Sequence, residues 1–160
     1  MTRRLILCSF ALLLPALAFA MAAGLDLTTA LRDADLIARI KVVSTKPAPA
    51  GSRYKQLALA TITEGIKGPK GGDTIQLLSD NGFICPNVLY QANDDCIIFA
   101  RRTPEGHYET MNTYAGQFRV RDGIVDGCYL FYDTAPELDK KVKPEAIISA
   151  LRRLINTPNK

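Results

Sequence analysis

From Asp35 onward the sequence is a succession of short β-forming runs divided by glycine- and proline-bearing turns, and that pattern restricts the chain to a strand-rich fold. In Asp35 to Val43 the even positions Leu36, Ala38, Ile40 and Val42 are apolar while the odd ones include Arg39 and Lys41, the period of a half-buried strand. Residues 47–52 read as a Pro, Ala, Gly and Ser linker, followed by a second strand at Tyr54 to Thr63. Glu64 to Gly72 holds a turn marked by Gly65, Lys67 and Gly68, and a third strand spans Thr74 to Ser79. Cys96 to Ala100 is a buried run, whereas Tyr108 to Thr113 and Gln117 to Arg121 alternate. Asp122-Gly123, between Val120 and Ile124, has the composition of a tight hairpin turn. Tyr129 to Tyr132 is aromatic enough for one more strand.

Helical signals sit only at the ends of this region. Leu27 to Arg32 forms a short helix capped by Asp26, and a clearer helix over 144–156 opens on Pro144. The second helix places Ile147, Ile148, Leu151, Leu154 and Ile155 on one stripe, with Arg152 and Arg153 outside it. Six or seven short strands with such a helix suggest a sandwich or a small closed barrel, because closure is how a small sheet protects its edges. The fold class expected is therefore mainly β (α+β): a small closed β-barrel of five to seven strands with a short N-terminal helix and a C-terminal amphipathic helix packed on it, which the family resemblance described below implies is OB-like.

The segment before this region reads as an export signal, residues 1–22. Arg3 and Arg4 precede the apolar stretch Leu5 to Leu14, Pro15 breaks it, and Ala18, Ala20, Ala22 and Ala23 supply small residues for cleavage. Cleavage after Ala22 is preferred and cleavage after Ala20 is the alternative. An uncleaved anchor is the rival reading, since Leu5 to Ala23 is uncharged. Residues 23–160 then form a single domain, periplasmic or secreted, with no later apolar run long enough to span a membrane. Loss of Arg3 and Arg4 leaves 18 Lys and Arg against 16 Asp and Glu, too even a balance for a nucleic-acid binder. The pairs Arg101-Arg102, Lys140-Lys141 and Arg152-Arg153 read as solvated faces.

Cys8 leaves with the signal, so three cysteines remain where disulfides persist: Cys85, Cys96 and Cys128. A Cys85–Cys96 bridge closes a short loop, a constraint valued at roughly 2 to 3 kcal/mol in the entropic account. Pairing of Cys128 with either one is the alternative. Three scattered cysteines and a lone His107 have no CxxC or HxxxH spacing, so no metal or other cofactor is expected.

Ala34-Asp35 before the first strand, Tyr54, and Ile66-Lys67-Gly68 closing the second resemble the opening of netrin-like modules, the family of the tissue inhibitors of metalloproteinases. Cys85, followed by Asp95-Cys96-Ile97-Ile98-Phe99-Ala100 and a hairpin at Pro104-Glu105-Gly106, is similar to that family's later part. The likeness spans about residues 25–121 and implies an oligonucleotide-binding-type barrel that acts as a binding module. The inhibitors' zinc-binding cysteine at the start of the mature chain has no counterpart in Ala23-Gly24-Leu25-Asp26, so the resemblance does not extend to protease inhibition. In that family the cysteine that Cys85 resembles pairs with the missing one, which leaves Cys85 to pair elsewhere or stay reduced.

No GxSxG, HExxH, GxxxxGK(S/T) or GxGxxG motif is present. His107 follows Gly106 in the predicted hairpin, where a turn role outweighs a general-base role, and Asp94-Asp95 reads as the end of a loop before a strand. Cys128, beside Asp126 and without a neighbouring cation, reads as a structural cysteine or a free thiol. Tyr114, Phe118, Tyr129, Phe131 and Tyr132 form a candidate aromatic binding surface of the kind barrels use for oligosaccharides. The expected function is an exported, non-enzymatic binding module of the cell envelope with a protein or glycan partner. A small secreted enzyme or thiol protein using Cys128 or His107 is the alternative.

Overall fold

The computed structural model describes residues 26–83, 87–111, 116–125 and 141–157. Along the chain these form α1 (Leu27–Asp33), β1 (Leu36–Pro47), β2 (Gln56–Lys67), β3 (Thr74–Ser79), β4 (Asp95–Arg102), β5 (Tyr108–Thr110), β6 (Gln117–Arg121), β7 (Ile124–Val125) and α2 (Pro144–Asn156). Strand neighbours run β1-β2-β3-β5-β4, and β4 returns to β1, so five strands close into a barrel and the fold is the small OB-like barrel expected. All barrel pairs are antiparallel except β3 with β5, where Leu77 faces Tyr108. β6 extends the sheet from β4, and β7 pairs with β6.

Closure depends on β1. Its register against β2 slips at Ile37/Ala38, Arg39/Ile40 and Val42/Ser44, and such bulges bend a strand and increase its twist. The bent strand pairs with β2 over nearly its whole length and with β4 from Leu36 to Lys41. Gly68, at the end of β2, has φ +87° and lies against the backbone of Asp35 and Leu36, an approach that leaves no room for a Cβ. Lys67 Nζ donates to the carbonyls of Leu31 (2.8 Å) and Arg32 (3.0 Å), covering the exposed C-terminal end of α1. Asp35 accepts from the Arg102 N–H at 2.8 Å. The Ala34-Asp35 and Lys67-Gly68 pairs on which the family resemblance rests thus touch one another, and their work here is architectural.

Alternation along the strands separates two cores. Leu36, Ala38, Ile40 and Val42 point into the barrel with Ala58, Ile62, Leu77 and Ile98, as the period of β1 indicates. Ile37, Ile97, Phe99 and Phe118 point outward and pack beneath the helices against Leu27, Ala30, Ile147, Ile148 and Leu151. β4 is buried on both faces from Cys96 to Ala100, which is why it reads as an unbroken apolar run. Between β3 and β4, Val88 and Tyr90 fold inward and fill the barrel interior. The Tyr90 hydroxyl pairs with Thr110 Oγ1 at 2.7 Å, which satisfies the one polar atom of an otherwise enclosed ring.

Both helices form as the sequence indicates. Asp26 Oδ1 accepts from Thr29 N at 2.9 Å, the expected N-cap of α1. On α2, Ile147, Ile148 and Leu151 are buried and Ile155 partly so, but Leu154 falls at the edge of the stripe and is 37% exposed. The helix is tied to the barrel by Arg39, which holds Asp95 through two hydrogen bonds (3.0 and 2.9 Å) and Glu145 at 3.2 Å, and by Arg152 to Glu64 at 3.0 Å. Asp122 (φ 51°) and Gly123 (φ 73°) both occupy the left-handed region, the geometry of a type I′ turn between β6 and β7.

One expectation is corrected. Phe118 is not an exposed stacking residue: it is 6% exposed and meets Phe99 edge to face at 6.0 Å, because β6 turns its Phe118 side toward the helices. Cys96 is a free, buried thiol on the inward-facing side of β4, and the Cys85 half of the expected bridge lies outside the described residues. Cys85, Cys128, Tyr114, Tyr129, Phe131, Tyr132 and the signal segment lie outside the described residues.

Candidate functional site

Two loops converge at one end of the barrel. The β1–β2 loop carries Pro49 to Lys55 and is closed by Ala48 N to Lys55 O (2.9 Å) and Ser52 N to Pro49 O (3.1 Å), with Gly51 at φ +81°. The β4–β5 loop is the expected hairpin at Pro104-Glu105-Gly106, closed by Thr103 N to His107 O (2.8 Å) and turned at Gly106, φ +89°. Between the loops lies a cleft of about 580 Å³, floored in part by Leu78 of β3. A second hollow of about 460 Å³ continues along β3 past Gln76 and Asp73, and Arg102, Glu105 and His107 line both.

The polar wall of the cleft is pre-assembled. Glu109 Oε2 accepts from Tyr54 Oη at 2.8 Å and from Arg53 Nη2 at 2.5 Å, and the Arg53 guanidinium lies over the Tyr54 ring with its carbon 5.0 Å from the centroid. Burial raises the Tyr54 phenol above its usual range and the bond to Glu109 adds to this, so the phenol stays protonated and serves as a donor. The hydrogen bond from Arg53 to Glu109 raises the guanidinium's affinity for its proton. Arg101 is held by Asp33 at 2.9 Å. Arg102 has its backbone fixed by Asp35 and by the pairing of β4 with β5, yet its side chain makes no hydrogen bond or ion pair among the described residues. Its Nη2 lies over Gly106, 3.9 Å from where a Cβ would stand. Glu105, on the rim, is held below the usual carboxylate range chiefly by its own backbone N–H.

This arrangement offers donors, acceptors and an apolar floor in one concavity whose volume falls within the few hundred to about 1,000 Å³ of small-ligand sites. His107 lines the cleft, half-buried, after the turn as expected. Asp94 and Asp95 serve the scaffold: Asp94 accepts from Gln91 N (2.8 Å) and pairs with Arg119 (3.4 Å), while Asp95 holds Arg39. Burial pushes the Cys96 thiol up to about 12, and its nearest polar neighbour is Gln117 Nε2 at 3.7 Å, so it is an inert core sulfur. Among the described residues no three His, Cys, Asp or Glu side chains gather where they could hold a metal ion, and no helix is long and apolar enough to cross a membrane.

Nothing in the sequence marks Arg53 or Glu109 as site residues, Tyr54 stands out only as a strand start and a residue of the family resemblance, and Arg101-Arg102 reads as a solvated face. Arg53, in the β1–β2 loop, and Glu109, in the middle of β5, meet across 56 residues of chain, so no local stretch of sequence marks the pair.

Fold and cleft together define the class, an OB-like barrel with a polar concavity between its β1–β2 and β4–β5 loops. Comparison with known proteins adds no name to that class: no protein-family model, no curated protein and no solved structure matches the chain.

Proposed function

We propose that this protein is an exported, non-enzymatic binding module of the cell envelope, netrin-like in architecture, whose ligand-contacting surface is the cleft between the β1–β2 and β4–β5 loops. The observation that carries this reading is the pre-bonded Arg53–Tyr54–Glu109 wall in one open concavity with Arg102, whose side chain has no partner among the described residues. Side chains fixed by one another before a ligand arrives lose little conformational freedom on binding, which is how rigid sites gain affinity. OB-like barrels bind oligonucleotides and oligosaccharides with this pair of loops, a fold analogy that adds support of a weaker kind. Export is supported by the Arg3-Arg4, Leu5 to Leu14 and Ala18 to Ala23 pattern.

Two measurements test the proposal. Fractionation of bacterial cells expressing the full chain, with mass analysis of the exported form, is expected to give a protein starting at Ala23. Titration of the isotope-labelled exported protein with glycan and peptide panels, followed by amide NMR, is expected to shift the backbone signals of residues 49–55 and 101–109. Retention of the intact chain in the cytoplasm, shifts confined to another surface, or turnover of a panel member would overturn it.

A further inference from the structure

The charge pattern of the cleft narrows its ligand class, an inference that rests on the cleft being the binding site. Besides Tyr54, six ionisable side chains line its mouth: Arg53, Arg101, Arg102, Glu105, His107 and Glu109. Arg53 is committed to Glu109 and Arg101 to Asp33, which leaves Arg102 as the cation without a partner among the described residues. Arg102 stands where the 580 Å³ cleft meets the 460 Å³ hollow, so a ligand extending through both passes over its guanidinium. A guanidinium is a planar fork of N–H donors that matches a carboxylate.

Two carboxylates flank that cation. Glu105 lines both hollows and Glu109, its charge already paired with Arg53, lines the larger, so a ligand with a negative charge at every repeat, such as a nucleic-acid backbone, meets Arg102 as the one cleft cation not already ion-paired among the described residues, with the Glu105 carboxylate on the same rim. A chain rich in hydroxyls meets the reverse situation, since carboxylates accept hydrogen bonds from hydroxyls while Arg53 and Tyr54 offer polar groups beside them. Leu78, Pro49 and Pro104 supply apolar surface for the carbon face of a sugar ring. We infer that the cleft binds an acidic oligosaccharide, with a uronate-type carboxylate on Arg102 and the hydroxyls of the adjoining rings on Glu105 and Glu109.

The test is amide NMR titration and calorimetry of the exported protein with three probes: trigalacturonate, the neutral trisaccharide galactotriose, and a glutamate-rich hexapeptide. Trigalacturonate is expected to bind at the cleft about tenfold more tightly than galactotriose, the gain of one charge-assisted hydrogen-bonded contact. Arg102→Gln should abolish that preference, bringing trigalacturonate down to the affinity of galactotriose for the same variant, whereas Arg153→Gln on α2 should leave the preference intact. Because the Arg102 side chain is exposed and makes no bond among the described residues, thermal unfolding of the variant should match the parent. Equal affinity for the two sugars, or a preference that survives Arg102→Gln, overturns the acidic-ligand inference and leaves the cleft as the binding site. Stronger binding of the peptide at the same residues overturns the glycan class. Cleft signals that move with none of the probes overturn the inference, and shifts confined to another surface overturn the binding site with it.

Discussion

Gly68→Ala is the substitution that most directly probes how the barrel is closed. Gly68 has φ +87°, and a Cβ there would be driven into the carbonyl oxygen of Asp35, with Leu36 Cα a further 3.5 Å neighbour. Both obstacles are backbone, so no side chain can swing aside. Gly72 provides an internal reference: φ is +94°, yet nothing lies within 4 Å of its Cβ position. Gly72→Ala therefore reports conformational strain alone, about 1 kcal/mol. Gly68→Ala carries the same strain and must in addition push the end of β2 away from the start of β1. That motion loosens the Ile37 and Lys67 pairing and draws Lys67 Nζ from the carbonyls of Leu31 and Arg32, for a total of about 3 kcal/mol or more. Urea unfolding followed by circular dichroism resolves the difference, since a slope of about 2 kcal/mol per molar separates the two midpoints by about 1 M. Midpoints of Gly68→Ala and Gly72→Ala that agree within error would refute the claim that the Ala34-Asp35 and Lys67-Gly68 pairs lock the barrel through contact.

Other perturbations follow from burial and titration. The Cys96 thiol is expected to resist alkylation in the native protein at pH 8 and to label on unfolding, as read by mass spectrometry of the Cys96 peptide; native labelling as fast as a free thiol's would contradict its enclosure. Because burial raises the folded thiol from 9.0 to about 12, its proton is held in both states below pH 9, and above that the unfolded chain releases a proton the folded chain keeps. Stability should therefore fall as pH rises from about 9, and Cys96→Ala should remove this early part of the decline while the contribution of Tyr90, whose phenol burial also raises, remains. Ile147→Ala, at a fully buried position beneath α2, should cost about 2 to 5 kcal/mol in urea unfolding, against a few tenths for the partly exposed Leu154→Ala. Phe118→Leu should lower stability by about 1 kcal/mol through loss of the edge-to-face contact with Phe99, and Phe99→Leu/Phe118→Leu should be less than additive in a double-mutant cycle.

Much of the local structure is legible from neighbouring residues. The even positions of Leu36 to Val42 mark the barrel-facing side of β1, Asp26 and Pro144 mark where helices begin, and Asp122-Gly123 specifies a turn whose two residues both take positive φ. These signals act over one to four residues, so a chain segment carries them before it meets any other segment. Strand ends were less legible: β1 continues to Pro47 and β2 to Lys67 because each is extended by its partner and not by its own apolar period.

The reading failed where burial or assembly depends on distant residues. Phe118 looked like a member of an aromatic surface, but which side of β6 is covered depends on where α1 and α2 pack. The Cys96 run reads as buried, but the enclosure of the sulfur on its barrel side follows from β4 closing against β1. The cleft is the clearest case, since Arg53, Tyr54, Arg102 and Glu109 belong to three segments that meet only when β3 pairs in parallel with β5 and the barrel ends come together. Periodicity, capping and turn chemistry are short-range properties written in consecutive side chains, and they are enough to set the elements and the class of fold. The side of a strand that stays wet, the partner of a thiol and the charges that share a concavity follow from long-range closure, and no local stretch of this chain carries that information.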